Sequence, residues 1–469
     1  METEKVILVH YHEIALKGKN RPMFEDRLVN NIKKSLGAHV IVKRLSGRIE
    51  VIPQKTQFDK ALKKMGNIFG ISGFSPAVVV PTDLKEIKKA ALHLLSGTSP
   101  SRSFPPGWSP RAGSRAGGRP PQVKKGTFKV VTKREYKQFP LNSMEISSEV
   151  GAYILEKTPP LPPPSASSPA SSPEAPARRE APARREKGDT GGFNNKFINP
   201  PQPSFSKGGS KKFLRGGRWK VDVKKPKIKV CIEVLKDKTF IYTKKIKGAG
   251  GLPGGVSGKM LVLISGGIDS PVASYLMAKR GAELNFLHFH SYPFTDKASI
   301  EKVEELLGVL GKYGVSKSHL YLAPIIDFQK EVVKKTDQKY RVILYRRLMY
   351  KVAEALAKKI NAKALVSGDN LGQVASQTIE NMAVIGANIE LPIMRPLVGF
   401  DKEEIIDLAK KIGTFEISIE PHGDCCSVFL PKSPATKARI DDIIIEEKKI
   451  GMEGWVERII EKISNSPNF

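Results

Sequence analysis

Cysteine is scarce in this sequence, three residues in 469. Three thiols cannot staple a domain, so the fold must rest on hydrophobic cores, and a reducing cytoplasm is the expected compartment. Long apolar runs are missing too. None reaches the roughly 18–20 residues that a helical membrane span requires, and residues 1–5 lack the build of a secretory signal. Negative charge is in short supply: 47 Asp and Glu face 78 Lys and Arg, a formal net charge of +31. Such an excess calls for a polyanionic partner, nucleic acid above all. Part of it rides on two low-complexity stretches. Residues 96–123 carry four arginines and no acid, and residues 158–218 carry eleven basic against four acidic residues; +20 is left without them. The basic balance therefore belongs to the folded parts.

What is present is enough apolar residue, 40%, for two or three soluble domains with cores of their own. The most informative segment is Ser265-Gly266-Gly267-Ile268-Asp269-Ser270. It follows an apolar run at 260–264 that reads as a buried parallel strand, and it precedes a helical stretch at 271–280 stopped by Gly281. Two glycines in a strand-to-helix turn bare the backbone, so its N–H groups and the helix N-terminus can receive a phosphate. The flanking serines add hydroxyls, and Asp269 places a carboxylate where a magnesium–nucleotide would sit. A Walker loop is excluded, because Pro253 and Met260 occupy positions that need a glycine and a hydroxyl. The dinucleotide fingerprint lacks its third glycine.

Organisation follows from periodicity. Residues 5–11 read as a strand, 21–36 as a helix with Phe24, Leu28 and Ile32 on one face, and 40–51 as two short strands around Ser46-Gly47. Helix 83–95, strand 127–133, helix 143–156 with Ser143 as N-cap, and a hairpin at 227–234 and 239–244 come next. The stretch 158–218, with its tandem Glu-Ala-Pro-Ala-Arg-Arg repeat, is too poor in apolar residues to pack and reads as disordered. Six glycines within 248–258 read as a hinge. Beyond it, strands at 284–290, 364–367 and 389–394 alternate with helices, as in a doubly wound parallel sheet.

Strand–Ser-Gly-Gly-x-Asp-Ser–helix resembles the PP-loop of ATP pyrophosphatases, which cleave ATP to AMP and pyrophosphate while adenylating a substrate. Further segments carry a more specific resemblance. His10-Tyr11-His12-Glu13-Ile14-Ala15-Leu16-Lys17-Gly18-Lys19-Asn20-Arg21, Phe139-Pro140-Leu141-Asn142, Lys247-Gly248-Ala249-Gly250-Gly251-Leu252-Pro253, Leu371-Gly372-Gln373-Val374-Ala375-Ser376-Gln377-Thr378 and Asp424-Cys425-Cys426 are similar to segments of the tRNA 4-thiouridine synthetase family. The similarity covers nearly the whole chain outside the two inserts. It implies an α/β protein of three parts: an N-terminal ferredoxin-like α+β domain at 1–75, a THUMP RNA-binding domain at 76–245 interrupted by inserts near 96–123 and 158–218, and a PP-loop domain at 246–469.

The resemblance also implies the chemistry. ATP, with Mg2+, adenylates O4 of uridine 8 in tRNA, and sulfur carried as a cysteine persulfide then displaces AMP to give 4-thiouridine. Activation makes sense, since a carbonyl oxygen leaves poorly and AMP leaves well, while a low-pKa thiol is a suitable sulfur carrier. Position by position, Leu263, Ile264, Ser265, Gly266, Gly267, Ser270, His288, Phe289, Arg346, Gly368 and Gln377 match nucleotide contacts. Arg347 takes the place of Arg346 if the register slips by one. Asp269 matches the essential carboxylate, through magnesium, and Lys402 matches a lysine tied to activity. Cys426 or Cys425 matches the sulfur carrier. Cys231 reads as a small hydrophobe in a strand.

The sequence departs from some relatives. No C-terminal rhodanese segment follows, so sulfur is expected to come from a cysteine desulfurase directly or by another carrier, and a link to thiamine thiazole synthesis is weakened. Two adjacent cysteines cannot supply three ligands to an iron–sulfur cluster. His12 stands where relatives often have glycine, a loop change. Relatives act as homodimers, which is carried over. Other readings are a tRNA-binding protein that lost catalysis, or another PP-loop enzyme such as a 2-thiouridine synthetase or an amide-forming ligase.

Overall fold

The computed structural model describes residues 4–37, 39–96, 126–158, 219–294, 297–315, 320–421 and 429–466. Nearly all of the two low-complexity stretches, and both Cys425 and Cys426, lie outside the described residues.

Nine strands build the first sheet: β1 Glu4–His10, β2 Ile41–Leu45, β3 Arg48–Ile52, β4 Gly73–Val80, β5 Gly126–Arg134, β6 Trp219–Val221, β7 Ile228–Val234, β8 Thr239–Tyr242 and β9 Ile246–Lys247. Their order is β2-β3-β1-β4-β8-β7-β5-β6, with β9 beside one end of β4. β4 is the seam. It pairs antiparallel with all of β1 through residues 73–79 and with β8 through Val78, Val79 and Val80. The two N-terminal modules expected from the sequence thus share one continuous sheet. Periodicity did not show β4, because Pro76 interrupts the run and proline is a poor strand residue.

Side chains alternate across β1 as the pleat requires. Ile7 and Val9 join a core with Phe24, Leu28 and Ile32 of the helix Arg21–Leu36, while Val6 and Leu8 pack with Ala77, Phe240 and Tyr242. The helix Ser143–Lys157 buries Ile146, Val150 and Ile154 against Phe128 and Val230. Its cap corrects the sequence reading. Asn142, not Ser143, is the N-cap: its side chain accepts from the Met144 and Glu145 amides (2.9 and 3.0 Å), and Glu145 accepts from the Asn142 amide (2.7 Å). Asn serves as well as Ser, and Glu145 three residues on completes the capping box.

The second sheet contains β10 Lys259–Leu263, β11 Glu283–His290, β12 Leu320–Pro324, β13 Leu365–Val366, β14 Ile393–Met394 and β15 Ser464–Asn465, in the order β14-β13-β10-β11-β12-β15. All neighbours are parallel except β15, which is antiparallel to β12. Alternate residues feed two cores. Leu261, Leu287 and Leu365 pack with the helices Ile326–Lys335 and Arg341–Lys359, whereas Val262, Phe286 and Val366 pack with Asp269–Lys279 and Lys402–Ile412. This is the doubly wound α/β arrangement expected from the alternation of strands and helices. β12 and β15 were not anticipated; each is short, and β12 closes on a proline.

The glycine-rich stretch between the sheets is packed on both sides. Gly250 N–H donates to the Ile71 carbonyl and Gly70 N–H to the Gly250 carbonyl, both at 2.8 Å. Leu252 N–H reaches the Lys279 carbonyl (3.0 Å), at the end of the helix that begins with Asp269. A Cβ on Gly251 would lie 2.0 Å from the Lys279 oxygen, and one on Gly248 would lie 2.2 Å from the Ile71 oxygen. Glycine is needed here for close approach. Arg280 adds an ion pair to Glu13 (2.9 Å) across the same joint.

Candidate active site

β10 ends at Leu263, and the helix Asp269–Lys279 starts six residues later, so the Ser-Gly-Gly turn lies at the carboxyl edge of the parallel strands, where open α/β sheets bind ligands. The turn is knitted from within. Ser270 Oγ accepts from the Ser265 amide (2.9 Å) and donates to the Ser265 carbonyl (3.1 Å), and Gly267 N–H points to Ser265 Oγ (3.4 Å). The serine hydroxyls therefore set the loop's shape. A cavity of about 560 Å³ opens beside it, within the roughly 300–1,000 Å³ typical of small-molecule sites.

Every nucleotide contact expected from the sequence lines this cavity except Gly266 and Gly267, which sit in the turn: Leu263, Ile264, Ser265, Ser270, His288, Phe289, Arg346, Gly368 and Gln377. Asp269 lines it as well. Its carboxylate accepts from Lys402 Nζ (2.7 Å) on one oxygen and from Gln373 Nε2 (3.2 Å) on the other. Lys402 is the first residue of its helix, behind an Asp401–Glu404 capping box, and its ammonium crosses 133 positions of sequence to reach Asp269. Gly368, two residues past the end of the neighbouring strand β13, abuts the loop. A Cβ there would lie 2.8 Å from Ser270 N and 3.0 Å from the Asp269 carbonyl carbon, so only glycine fits.

Arg346 and Arg347 part company on the helix Arg341–Lys359. Arg347 is 1% exposed, holds Glu447 (Nε–Oε1 2.6 Å) and donates to the Val384 carbonyl; it is absent from the cavity lining. Arg346 lines the cavity, donating to Ser376 Oγ (3.1 Å) and to Asp369. Consecutive helical residues point about 100° apart, which puts one in the core and one in the site.

Asp369 is the residue that sequence reasoning missed. It is 4% exposed and accepts from Arg346, Tyr350 OH (2.7 Å) and Ser367 Oγ (2.8 Å), with Arg395 Nε at 3.5 Å. Burial alone would raise its pKa, but the Arg346 guanidinium and the two hydroxyls outweigh it and hold the carboxyl at about 2. Its place within Ser367-Gly368-Asp369 was the signal available. His288 Nδ1 lies 3.0 Å from the Ile264 carbonyl, an acceptor, so that nitrogen carries the proton. Burial, then the neighbouring His288, push His290 down to about 4. Cys231 lies in β7, partly buried, with burial raising its thiol pKa. Among the described residues no three His, Cys, Asp or Glu side chains gather as a metal site, and no helix is long and apolar enough to cross a membrane.

A doubly wound sheet with a Ser-Gly-Gly-x-Asp-Ser turn opening on such a cavity, following a separate α+β front half, defines a PP-loop protein. Comparison with known proteins narrows the class. The description "Thiamine biosynthesis protein (ThiI)" matches residues 255–452, the ThiI ferredoxin-like domain residues 6–75, and the THUMP domain residues 119–169. A probable tRNA sulfurtransferase of Thermoanaerobacter pseudethanolicus is 37% identical over 98% of this chain and 99% of its own. One of Acetivibrio thermocellus is 36% identical over 98% and 97%. A crystal structure of a 4-thiouridine synthetase–RNA complex with bound ATP superposes with a TM-score of 0.74 at 33% identity, covering 99% of both chains. The chain belongs to the tRNA sulfurtransferase family.

Proposed function

We propose that this protein is an ATP-dependent tRNA 4-thiouridine synthetase acting on uridine 8. The observation that carries this reading is the cavity itself: the PP-loop turn, the Lys402–Asp269 bridge and Arg346 converge on one space, in a family member similar over its length to a synthetase solved with ATP and RNA. In this reading the loop N–H groups and the helix N-terminus receive phosphate oxygens. Asp269 would hold Mg2+, which a single carboxylate with nucleotide phosphates can retain. Bound magnesium would neutralise charge on the leaving pyrophosphate. Lys402 fixes the Asp269 carboxylate, and its ammonium adds positive charge beside the departing group.

Uridine O4 attacks the α-phosphorus, and pyrophosphate leaves. The terminal sulfur of a persulfide on Cys425 or Cys426 then adds at C4 and AMP departs; a second thiol attacks the cysteine sulfur of the Cys–S–S–C4 link, releasing 4-thiouridine and forming a disulfide, which an external thiol such as free cysteine reduces. We assign the supply of sulfur to a cysteine desulfurase, the active unit to a homodimer and the compartment to the cytoplasm. Transfer toward the thiamine thiazole, suggested by the family description, would use the same cysteine. The basic front half grips tRNA through phosphates and shape, since duplex RNA offers side chains little sequence to read.

The test is reconstitution with tRNA, Mg-ATP, a cysteine desulfurase and cysteine, reading 4-thiouridine by nucleoside mass spectrometry. Wild type should form product, and one of Cys425→Ser and Cys426→Ser should abolish it. Absence of product from wild type even with added sulfide would reject the assignment.

A further inference from the structure

Just past the cavity, the chain leaving β11 exposes two aromatic rings in succession. Ser291 is fully buried and donates to Gln329 Oε1 (2.6 Å), which pins the turn onto the helix Ile326–Lys335. Tyr292 and Phe294 then stand 47% and 56% exposed. Each ring has a lysine beside it: Lys330 Nζ lies 4.7 Å from the Phe294 centroid, and Lys297 Nζ lies 5.8 Å from that of Tyr292. Neither lysine forms an ion pair among the described residues, whereas the nearby acids Asp327 and Glu331 are already paired with Lys462 and Lys335. The Phe294 ring also meets Phe429 at 6.1 Å. The next residue, Leu430, lines the cavity, as do His288 and Phe289 at the end of β11. Exposed rings, and ammonium groups without an ion pair among the described residues, therefore stand together beside the cavity.

We propose that Tyr292 and Phe294, with Lys297 and Lys330, form the platform on which the unpaired target nucleotide of the RNA substrate stacks. The inference rests on the tRNA reading above and deepens it. A base buried in a duplex cannot present its edge to an ATP held in a cavity, so it must leave its stack. Rings receive an unstacked base without regard to its identity, and lysines beside them neutralise the adjoining phosphates. A protein partner of acidic character would meet the lysines but has no need of the ring faces.

The experiment uses the full chain and a tRNA transcript carrying 2-aminopurine at the target position, whose fluorescence is quenched when it stacks on a ring. Quenching is expected with wild type and with Phe294→Trp, and should be lost in Phe294→Ala and weakened in Tyr292→Ala. On unmodified tRNA, Phe294→Ala should lower kcat/KM for RNA about tenfold, the scale of one lost base–ring stack, while the dissociation constant for ATP alone stays within twofold. Lys330→Ala should reduce the salt slope of tRNA binding by about one phosphate contact. Undiminished quenching in Phe294→Ala, or a loss of ATP affinity in place of RNA affinity, would overturn the platform. Phe294-dependent quenching by a wild type that makes no 4-thiouridine would sink the catalytic reading and leave the platform standing.

Discussion

Aspartates with contrasting surroundings organise the site. Asp269 is partly open and bridged to Lys402; Asp369 is buried and saturated with donors. Asp269→Asn should abolish pyrophosphate release while the thermal midpoint stays within a few degrees, and an active variant would refute its role. Asp369→Asn should weaken ATP binding by freeing Arg346, so its effect should not add to that of Arg346→Gln. Additive losses in the double variant would show that Asp369 does not act through Arg346. Because its pKa is lowered, Asp369 contributes stability that is full above about pH 4 and fades as pH falls toward 2. The two neighbouring arginines each hold a carboxylate, but only Arg346 lines the cavity. Arg347→Ala leaves the Glu447 carboxylate without its ion-pair partner and should cost about 3–5 kcal/mol in denaturant unfolding. Arg346→Ala should remove ATP binding and should cost stability as well, because the buried Asp369 carboxylate then loses the guanidinium that holds it charged.

At the level of elements, local chemistry explains most of what was legible. Ser265 to Ser270 could be read because strand, turn and helix are consecutive, and each obeys its own short-range rule. Helix 21–36 showed its apolar stripe for the same reason. β4 was not legible, since its partners β1 and β8 lie far away in sequence and Pro76 breaks its pattern. The cap of the helix Ser143–Lys157 was placed one residue late, because both Asn142 and Ser143 are good cap residues and only the Glu145 contact separates them. Asn142→Ala should lower stability by about 1 kcal/mol, seen as a shift in urea midpoint. A change smaller than a few tenths would mean the box is not holding the helix start.

For the whole molecule, charge is buried where the two front modules share their sheet. Arg48, 1% exposed, joins Glu233 and Glu135, Tyr242 donates to Glu233 (2.8 Å), and His10 Nε2 lies 3.6 Å from the same carboxylate. Burial, only partly offset by Glu233, pushes the His10 pKa down to about 4. The folded form therefore binds this proton less readily than the unfolded chain, so stability is full above about pH 6.5 and falls between there and pH 4. Thermal scans should show that loss, and His10→Gln should flatten it; an unchanged slope would remove His10 as its source. Gly251→Ala should disturb the joint at Lys279 and, through the helix that begins with Asp269, lower activity more than either isolated core would suggest.

The sequence by itself determined the PP-loop, the alternation that makes a doubly wound domain and the basic surplus, because these follow from short-range periodicity and from motifs whose chemistry is local; half of the cavity's lining residues were named through the resemblance to a known family. Only the tertiary structure decided that the two front modules are one sheet, that Arg346 and not Arg347 enters the site, that Lys402 holds Asp269, and that Asp369 anchors an arginine. Each of those depends on segments brought together from distant parts of the chain, and pattern along a chain carries no distance through space.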